Sequence, residues 1–131
     1  MRKIFVILFV CSVVALTSMM PDDGVITKEN GMYVVNTTKL ADDVIGYEGP
    51  TPLRIYIKKN RVVRIEALPN KETPRYFAAA KKWLLDKWNG MTVKEAAAAE
   101  VDGKTGATYS SNAIKENVRR GLAYYKKKRS K

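Results

Sequence analysis

A short stretch near the C-terminus combines a hydroxyl group with a turn of small residues. Residues 102–108 read Asp-Gly-Lys-Thr-Gly-Ala-Thr, and Tyr109-Ser110-Ser111 leads on into an amphipathic segment. This pattern predicts a turn that ends at the entrance of a helix, where backbone N–H groups and the helix dipole favour a phosphate. A Thr108 hydroxyl in that place can carry a phosphoester, and a phosphoester can tether a nucleotide cofactor.

Two residue types that support most side-chain redox and metal chemistry are nearly absent. The chain has 131 residues, no histidine and one cysteine, Cys11, which we interpret as an apolar residue of the N-terminal run. These absences exclude Ser-His-Asp and Cys-His catalysis, Cys/His zinc sites, iron–sulfur clusters and His-ligated haem. Redox chemistry would therefore need an organic cofactor, and we assign no catalytic residue and no metal ligand.

The motif at 102–108 resembles a known one. Asp-x-x-Thr-Gly-Ala-Thr followed by Tyr-Ser-Ser is similar to the flavinylation motif of the small FMN-binding domains. That family includes the C subunit of the sodium-pumping NADH:quinone oxidoreductase and the G subunit of the Rnf complex. In that family the last Thr of the motif bears FMN through a phosphoester bond. The resemblance therefore implies that Thr108 is the attachment residue here. The stretches 46–50 (Gly-Tyr-Glu-Gly-Pro) and 71–74 (Lys-Glu-Thr-Pro) agree in order, so the likeness covers most of residues 24–125.

The resemblance implies a set of residues that bind FMN. The set is Gly46, Tyr47, Gly49, Pro50, Glu72, Thr73, Thr105, Gly106, Ala107, Thr108, Tyr109, Ser110 and Ser111. The first six lie in segments expected beside the isoalloxazine ring, where Tyr47 offers a stacking face. Thr73 either donates to a ring carbonyl or only caps a helix, and Tyr109 either lies along the ring or packs on the core. Ser110 and Ser111 offer donors to the phosphate, and we expect at least one of them to cap the helix.

The resemblance also implies a separate enzyme that attaches the cofactor. An extracytoplasmic, magnesium-dependent flavin transferase would take FAD, join FMN to the Thr108 oxygen and release AMP. A Thr hydroxyl is barely acidic, so it needs an external base and a metal. The transferase would recognise Asp102, Thr105, Gly106, Ala107 and Thr108, with Gly106 permitting close approach. The alternative is an ordinary helix N-terminus with Thr and Ser caps.

The N-terminus predicts export. Arg2 and Lys3 precede an apolar run from Ile4 to Leu16, and a polar turn follows at 21–23. We interpret residues 1–20 as a signal peptide, with a retained membrane anchor as the alternative. In both cases the domain would lie outside the cytoplasm, in the periplasm or at the cell surface.

The charge is strongly positive. The net charge is +11, and residues 126–131 form a basic tail. We expect the tail either to favour contact with an anionic membrane surface or an acidic redox partner, or only to confer solubility. Nucleic acid is not an expected partner after export.

The hydrophobic pattern predicts two hairpins. The first pairs 25–27 with 32–35 about an Asn30-Gly31 turn, and a short strand follows near 44–45. In the second, the strand at 53–58 alternates apolar residues with Arg54, Tyr56 and Lys58 on the polar side. Its partner at 63–67 is predicted to turn Val63, Ile65 and Ala67 inward.

Three helices follow. The first starts at Pro74, places Phe77, Ala80, Leu84 and Trp88 on one stripe with Trp83 also packed, and stops at Asn89-Gly90. The second covers 93–100 with Thr92 as its cap, and the third covers about 110–125. The prediction is an α+β domain over 24–125, with a mainly antiparallel sheet packed against helices and the last helix following the attachment turn.

These observations support an exported electron-transfer flavoprotein with covalent FMN, which relays electrons between redox partners at the membrane. We interpret such a protein as an electron carrier or an oxidoreductase component, and not as a stand-alone enzyme. The first alternative is a cofactor-free secreted basic module that binds anionic polymer, lipid or protein. A second alternative holds FMN reversibly and acts as a flavin reductase.

Overall fold

Four strands and three helices make up the described part of the chain. A computed structural model describes residues 24–46, 48–72, 74–102 and 108–129, with only the backbone of 74–76. The strands are β1 (Ile26–Glu29), β2 (Met32–Asn36), β3 (Leu53–Lys58) and β4 (Arg61–Ala67), and the helices are α1 (Pro74–Leu84), α2 (Val93–Ala98) and α3 (Thr108–Arg129). The predicted α+β class is confirmed. None of these three helices is long and apolar enough to cross a membrane.

Two tight turns fold the strands into one antiparallel sheet in the order β1-β2-β3-β4. Asn30 and Gly31 have φ values of 51° and 78° and join Glu29 to its partner Met32. Lys59 and Asn60 have φ values of 51° and 63° and join Lys58 to Arg61. Left-handed residue pairs of this kind match the twist of a hairpin, so both predicted hairpins are confirmed.

A β-bulge in β4 changes which residues face the core. Val62 pairs with Ile57 and Arg64 with Tyr56, so Val63 is an extra residue between them. Such an insertion shifts the two-residue alternation by one position. Val62 is therefore buried and Val63 is 39% exposed, and the prediction that Val63 packs inward is wrong.

Two further predictions about the strands are corrected. Tyr56, placed on the polar side of β3, is buried at 3% exposure, and the Arg64 guanidinium stacks 3.9 Å from the centre of its ring. The long side chain of a cationic residue can cover an aromatic ring that lies on the face of the sheet away from the core. The short strand expected near 44–45 is only an isolated bridge between Ile45 and Pro50.

Helix α1 ends earlier than predicted. It stops at Leu84, and turns continue to Gly90, whose φ of 86° suits glycine. Trp88 is still buried at 2% exposure, whereas Trp83 is 46% exposed and so does not pack in the core as predicted. Thr92 caps α2 through a reciprocal capping box with Glu95, as the sequence predicted for the cap.

Helix α3 packs against β2 and β3 of the sheet. Ile114, Val118, Leu122 and Tyr125 are at most 2% exposed and belong to the core cluster, as predicted. The helix extends to Arg129, so residues 126–129 of the predicted tail are helical. The helix therefore runs without a break from Thr108 to the basic C-terminal end.

A buried polar network fixes the position of α3 on the sheet. The Asn117 side chain accepts from the Thr37 hydroxyl at 2.5 Å and donates to the Ala113 carbonyl at 2.8 Å and to Thr51 Oγ1 at 3.4 Å. Thr37 Oγ1 also accepts from the Leu53 amide at 2.9 Å. Because buried polar groups are costly unless paired, this network favours one register of helix on sheet.

Gly121 is the point of closest approach between α3 and the sheet. A Cβ at this position would lie 2.7 Å from Ile55 Cδ1 and 3.0 Å from Thr37 Cγ2. Both distances are shorter than a van der Waals contact. The residue is therefore glycine because the helix backbone lies directly on the strand side chains.

We expect Gly121→Val to lower the free energy of unfolding by about 2 to 3 kcal/mol, because the branched side chain overpacks this contact. Urea unfolding followed by circular dichroism measures the change. Ala123→Val places the same side chain at an exposed position of α3 and should change stability by less than about 1 kcal/mol. Equal losses in the two variants would contradict the packing argument.

Candidate functional site

A buried carboxylate brings three separate segments together. Glu72 is 5% exposed and accepts hydrogen bonds from the Glu48 and Gly49 amides, the latter at 3.2 Å. Its Oε1 also accepts from the Ser110 hydroxyl at 2.9 Å. The sequence places these groups 23 to 38 positions apart. Because a buried carboxylate needs hydrogen-bond donors, Glu72 joins the 46–50 loop to the first turn of α3.

The backbone before Glu72 is shaped by a side chain. The Glu72 amide donates to Asn70 Oδ1 at 3.0 Å, and Asn70 Nδ2 donates to the Leu68 carbonyl at 3.2 Å. Asparagine stabilises turns through such local bonds to the backbone two residues on. The turn follows the end of β4 directly, so the sheet fixes where the Glu72 carboxylate enters the interior.

Gly46 leaves the space that Glu72 occupies. A Cβ at Gly46 would lie only 2.0 Å from Glu72 Oε1, whereas a Cβ at Gly49 would have Lys71 Cβ as its nearest neighbour at 4.0 Å. The Gly46 amide also donates to the Gly49 carbonyl at 2.9 Å, which closes the loop. The space beside Gly46 is thus taken by a carboxylate of this chain.

The start of α3 presents two exposed side chains and two buried ones. Thr108 is the first residue of the helix and is exposed, and Tyr109 is 67% exposed. This exposure excludes the core-packing alternative for Tyr109. Ser110 and Ser111 are both 1% exposed and lie within the first turn, so neither occupies the cap position that we expected for one of them. The Thr108 side chain is accessible at a helix terminus held by Ser110.

Side chains from two helices hold the backbone at Val101 and Asp102, which precede α3 in the chain. Trp83 Nε1 of α1 donates to the Asp102 carbonyl at 3.0 Å, and Lys115 Nζ of α3 donates to the Val101 carbonyl at 3.3 Å. Nothing in the sequence pattern indicated these contacts, because apolar spacing assigned Trp83 to the core. The described chain thus reaches Asp102 in a fixed position at the edge of the motif.

An ion-pair network holds the segment before Gly46 against α3. Arg120 contacts Asp43 at 2.6 Å and Glu116 at 2.9 Å, and Arg119 also contacts Glu116. Hydrogen bonding to Arg119, followed by that to Arg120, lowers the pKa of Glu116 to about 2. Hydrogen bonding to Arg120 lowers the pKa of Asp43. Both carboxylates therefore remain charged at neutral pH, and they support the position of the 46–50 loop on the helix.

The structure thus brings part of the predicted set into one place. The Glu72 carboxylate is contacted by Gly49 and Ser110 and lies against Gly46. Pro50 follows in the same loop and pairs with Ile45. Five predicted residues lie outside the described residues: Tyr47, Thr73, Thr105, Gly106 and Ala107. The resemblance predicts Glu72 beside the cofactor, but it gives no sign that Glu72 connects the segments.

Comparison with known proteins identifies a family. Residues 46–123 match the sequence profile of the FMN-binding domain, which is more than half of the chain. No curated protein and no solved structure gives a match. The matched range begins at Gly46 and includes Glu72 and all but the last turns of α3, so it contains every segment joined by the Glu72 carboxylate.

The residues present are compatible with FMN. The phosphate of a flavin needs an accessible hydroxyl or N–H donors, and the exposed Thr108 side chain at a helix start provides this chemistry. The ring needs an accessible flat surface, and Tyr109 is an exposed aromatic residue beside Thr108. The described part of the site therefore has both kinds of group that the cofactor requires.

We expect Gly46→Ala and Gly49→Ala to differ sharply. The methyl group at 46 must displace the Glu72 carboxylate from its donors, so the free energy of unfolding should fall by roughly 2 to 3 kcal/mol. The methyl group at 49 has room, and this variant should be neutral or more stable by up to about 1 kcal/mol. Urea unfolding of the pair measures both changes, and equal stability of the two variants would contradict the steric role of Glu72.

Proposed function

The chain belongs to the FMN-binding domain family, and we propose that it is an extracytoplasmic electron-transfer flavoprotein whose FMN is joined to Thr108 through a phosphoester. Flavin binding follows from the family. The covalent linkage, the relay of electrons and the location outside the cytoplasm are our proposal. They are supported by the motif at 102–108, by the N-terminal sequence and by the geometry around Glu72.

The exposure of Thr108 at the start of α3 is the observation that carries the proposal. A transferase must bring its own active site onto this oxygen, so the hydroxyl must be accessible. The adjoining Ser110 is buried and bonded to Glu72, which limits movement of the helix start relative to the 48–49 backbone. A group esterified to Thr108 would therefore stand at a defined place beside the 46–50 loop.

The proposed attachment is a phosphoryl transfer with no change of oxidation state. The Thr108 oxygen attacks the phosphorus on the FMN side of the FAD pyrophosphate, and a new O–P bond forms. The pyrophosphate P–O bond breaks, and AMP leaves. The hydroxyl proton passes to a base of the separate transferase, whose Mg²⁺ neutralises the phosphates. The exposed Asp102 would form the recognition segment together with Thr105, Gly106, Ala107 and Thr108.

When bound, FMN supplies hydride and one-electron chemistry that side chains cannot perform. The chain itself contributes attachment and position. Esterification through the phosphate leaves the redox edge of the ring accessible to partners and prevents loss of the cofactor outside the cell. The exposed Tyr109 side chain would lie beside the attached group, and the loop held by Glu72 would limit its orientation.

Location and partners follow from the same proposal. Residues 1–20, as a signal peptide or a retained anchor, would place the domain in the periplasm or at the cell surface. The flavin transferase would act there, and the redox partners would be membrane-associated. A covalent link suits that compartment because a dissociated cofactor would be diluted.

We expect Thr108→Val to abolish the FMN adduct and Thr108→Ser to retain it, because serine keeps the hydroxyl and valine keeps only the shape. Each variant is coexpressed with an active flavin transferase, denatured in acid and analysed by intact mass and flavin fluorescence. Wild-type mass should exceed that of the processed polypeptide by one FMN less one water.

Other results would support other functions. Flavin that is removed from the wild type by denaturation would contradict the ester and favour reversible binding, as in a flavin reductase. Colourless wild-type protein from a host with an active transferase would favour the cofactor-free basic module. An adduct that persists in Thr108→Val would place the linkage elsewhere.

A further inference from the structure

The end of the domain remote from the 46–50 loop carries a cavity. Both hairpin turns and the last turns of α3 meet there, around a space of about 420 Å³. Its lining includes Tyr33, Ile57, Lys58, Lys59, Tyr125 and Arg129. Helix α3 has 22 residues, so at about 1.5 Å per residue this cavity lies about 30 Å from Thr108. It is therefore distinct from the flavin site.

The lining carries positive charge. Among the residues that the structure describes, the cationic residues Lys58, Lys59 and Arg129 line the cavity, and no acidic residue does. None of the three forms a salt bridge within the described residues. Like charges around one concave surface repel each other and attract an anion.

The acidic groups at this end do not neutralise the cavity. Glu29 is exposed on β1 next to the first hairpin turn and is not among the lining residues. Glu95 lies on α2, close to the second turn because the Val93 amide donates to the Asn60 carbonyl at 2.9 Å. Its carboxylate accepts from the Thr92 amide at 3.0 Å in the capping box.

Two tyrosines form the aromatic wall of the cavity. The rings of Tyr33 and Tyr125 lie 5.9 Å apart, and the Lys28 ammonium lies 5.6 Å from the centre of the Tyr33 ring. Burial raises the pKa of Tyr125, so its phenol stays protonated and can donate a hydrogen bond at neutral pH. Cations beside tyrosines are typical of protein surfaces at the membrane–water interface.

We propose that this cavity binds the phosphate group of an anionic phospholipid headgroup, with Lys59 and Arg129 as its principal cationic contacts. The exposed residues 126–128 and Lys28 extend the positive charge beyond the cavity, which fits an extended anionic surface better than one small ion. With this end on a bilayer, α3 would stand away from the membrane. The flavin site would then lie about 30 Å from the lipid surface, where the extramembrane parts of membrane-associated redox partners can reach it.

The test uses the processed protein and two kinds of vesicle. Binding to vesicles of phosphatidylcholine mixed with phosphatidylglycerol is compared with binding to phosphatidylcholine alone, and the difference is the measured quantity. Lys59→Gln/Arg129→Gln should weaken the difference by about 30-fold, since each cation near an anionic surface contributes about a factor of five or more. Sedimentation or fluorescence gives the affinities.

The matched control removes the same charge from the other end. Lys71→Gln/Lys81→Gln changes two exposed lysines near Glu72. Because Glu72 contacts Ser110 in the first turn of α3, these lysines lie more than a Debye length from the cavity, and binding should change less than about threefold. Equal weakening in both double variants would show that only net charge matters and would overturn the proposal. No preference of the wild type for phosphatidylglycerol would also overturn it.

A second arm identifies the source of the phosphate. Soluble glycerol phosphate is titrated against the wild type without vesicles. Competition by glycerol phosphate against vesicle binding supports a shared phosphate site in the cavity. Binding of glycerol phosphate without any binding to vesicles would assign the cavity to a soluble ester and overturn the lipid proposal.

Discussion

One buried carboxylate determines how the 46–50 loop and the first turn of α3 are arranged. Glu72 accepts from the Glu48 and Gly49 amides and from the Ser110 hydroxyl, and it occupies the space left by Gly46. Polar groups in the interior are stable only when their hydrogen bonds are satisfied, so the carboxylate and its donors hold each other in place. Without these bonds, the loop and the first turn of α3 would lose the contacts that Glu72 makes between them.

Helix α3 connects this arrangement to the rest of the domain, because it is held in place along its length. Its first turn is bound to Glu72, its middle is positioned by Asn117 and by the close contact at Gly121, and its last turns reach the basic end. A close-packed helix on a sheet cannot slide by a fraction of a turn without clashes. The exposed Thr108 is therefore fixed relative to the sheet, as the proposed attachment of a large cofactor would require.

The sequence predicted what depends on local pattern and missed what depends on distant contacts. The Asn30-Gly31 turn, the apolar stripe of α3 and the motif at Thr108 have short-range signatures, and the family and fold class follow from them. The bulge at Val63 depends on how β4 pairs with β3. The exposed position of Trp83 depends on its hydrogen bond to the Asp102 carbonyl, 19 residues away. The connection made by Glu72 spans 38 residues to Ser110, and no local pattern encodes a contact of that kind.

The most direct measurement is a double-mutant cycle between Glu72 and Ser110. Glu72→Ala, Ser110→Ala and the double variant are unfolded in urea, with Glu48→Gln as a control because its carboxylate is exposed and only its amide takes part. The structure predicts a coupling free energy of about 1 kcal/mol or more, because each single change removes the same bond. Additive losses, with coupling below about 0.3 kcal/mol, would contradict the claim that Glu72 joins the loop to the helix that bears Thr108.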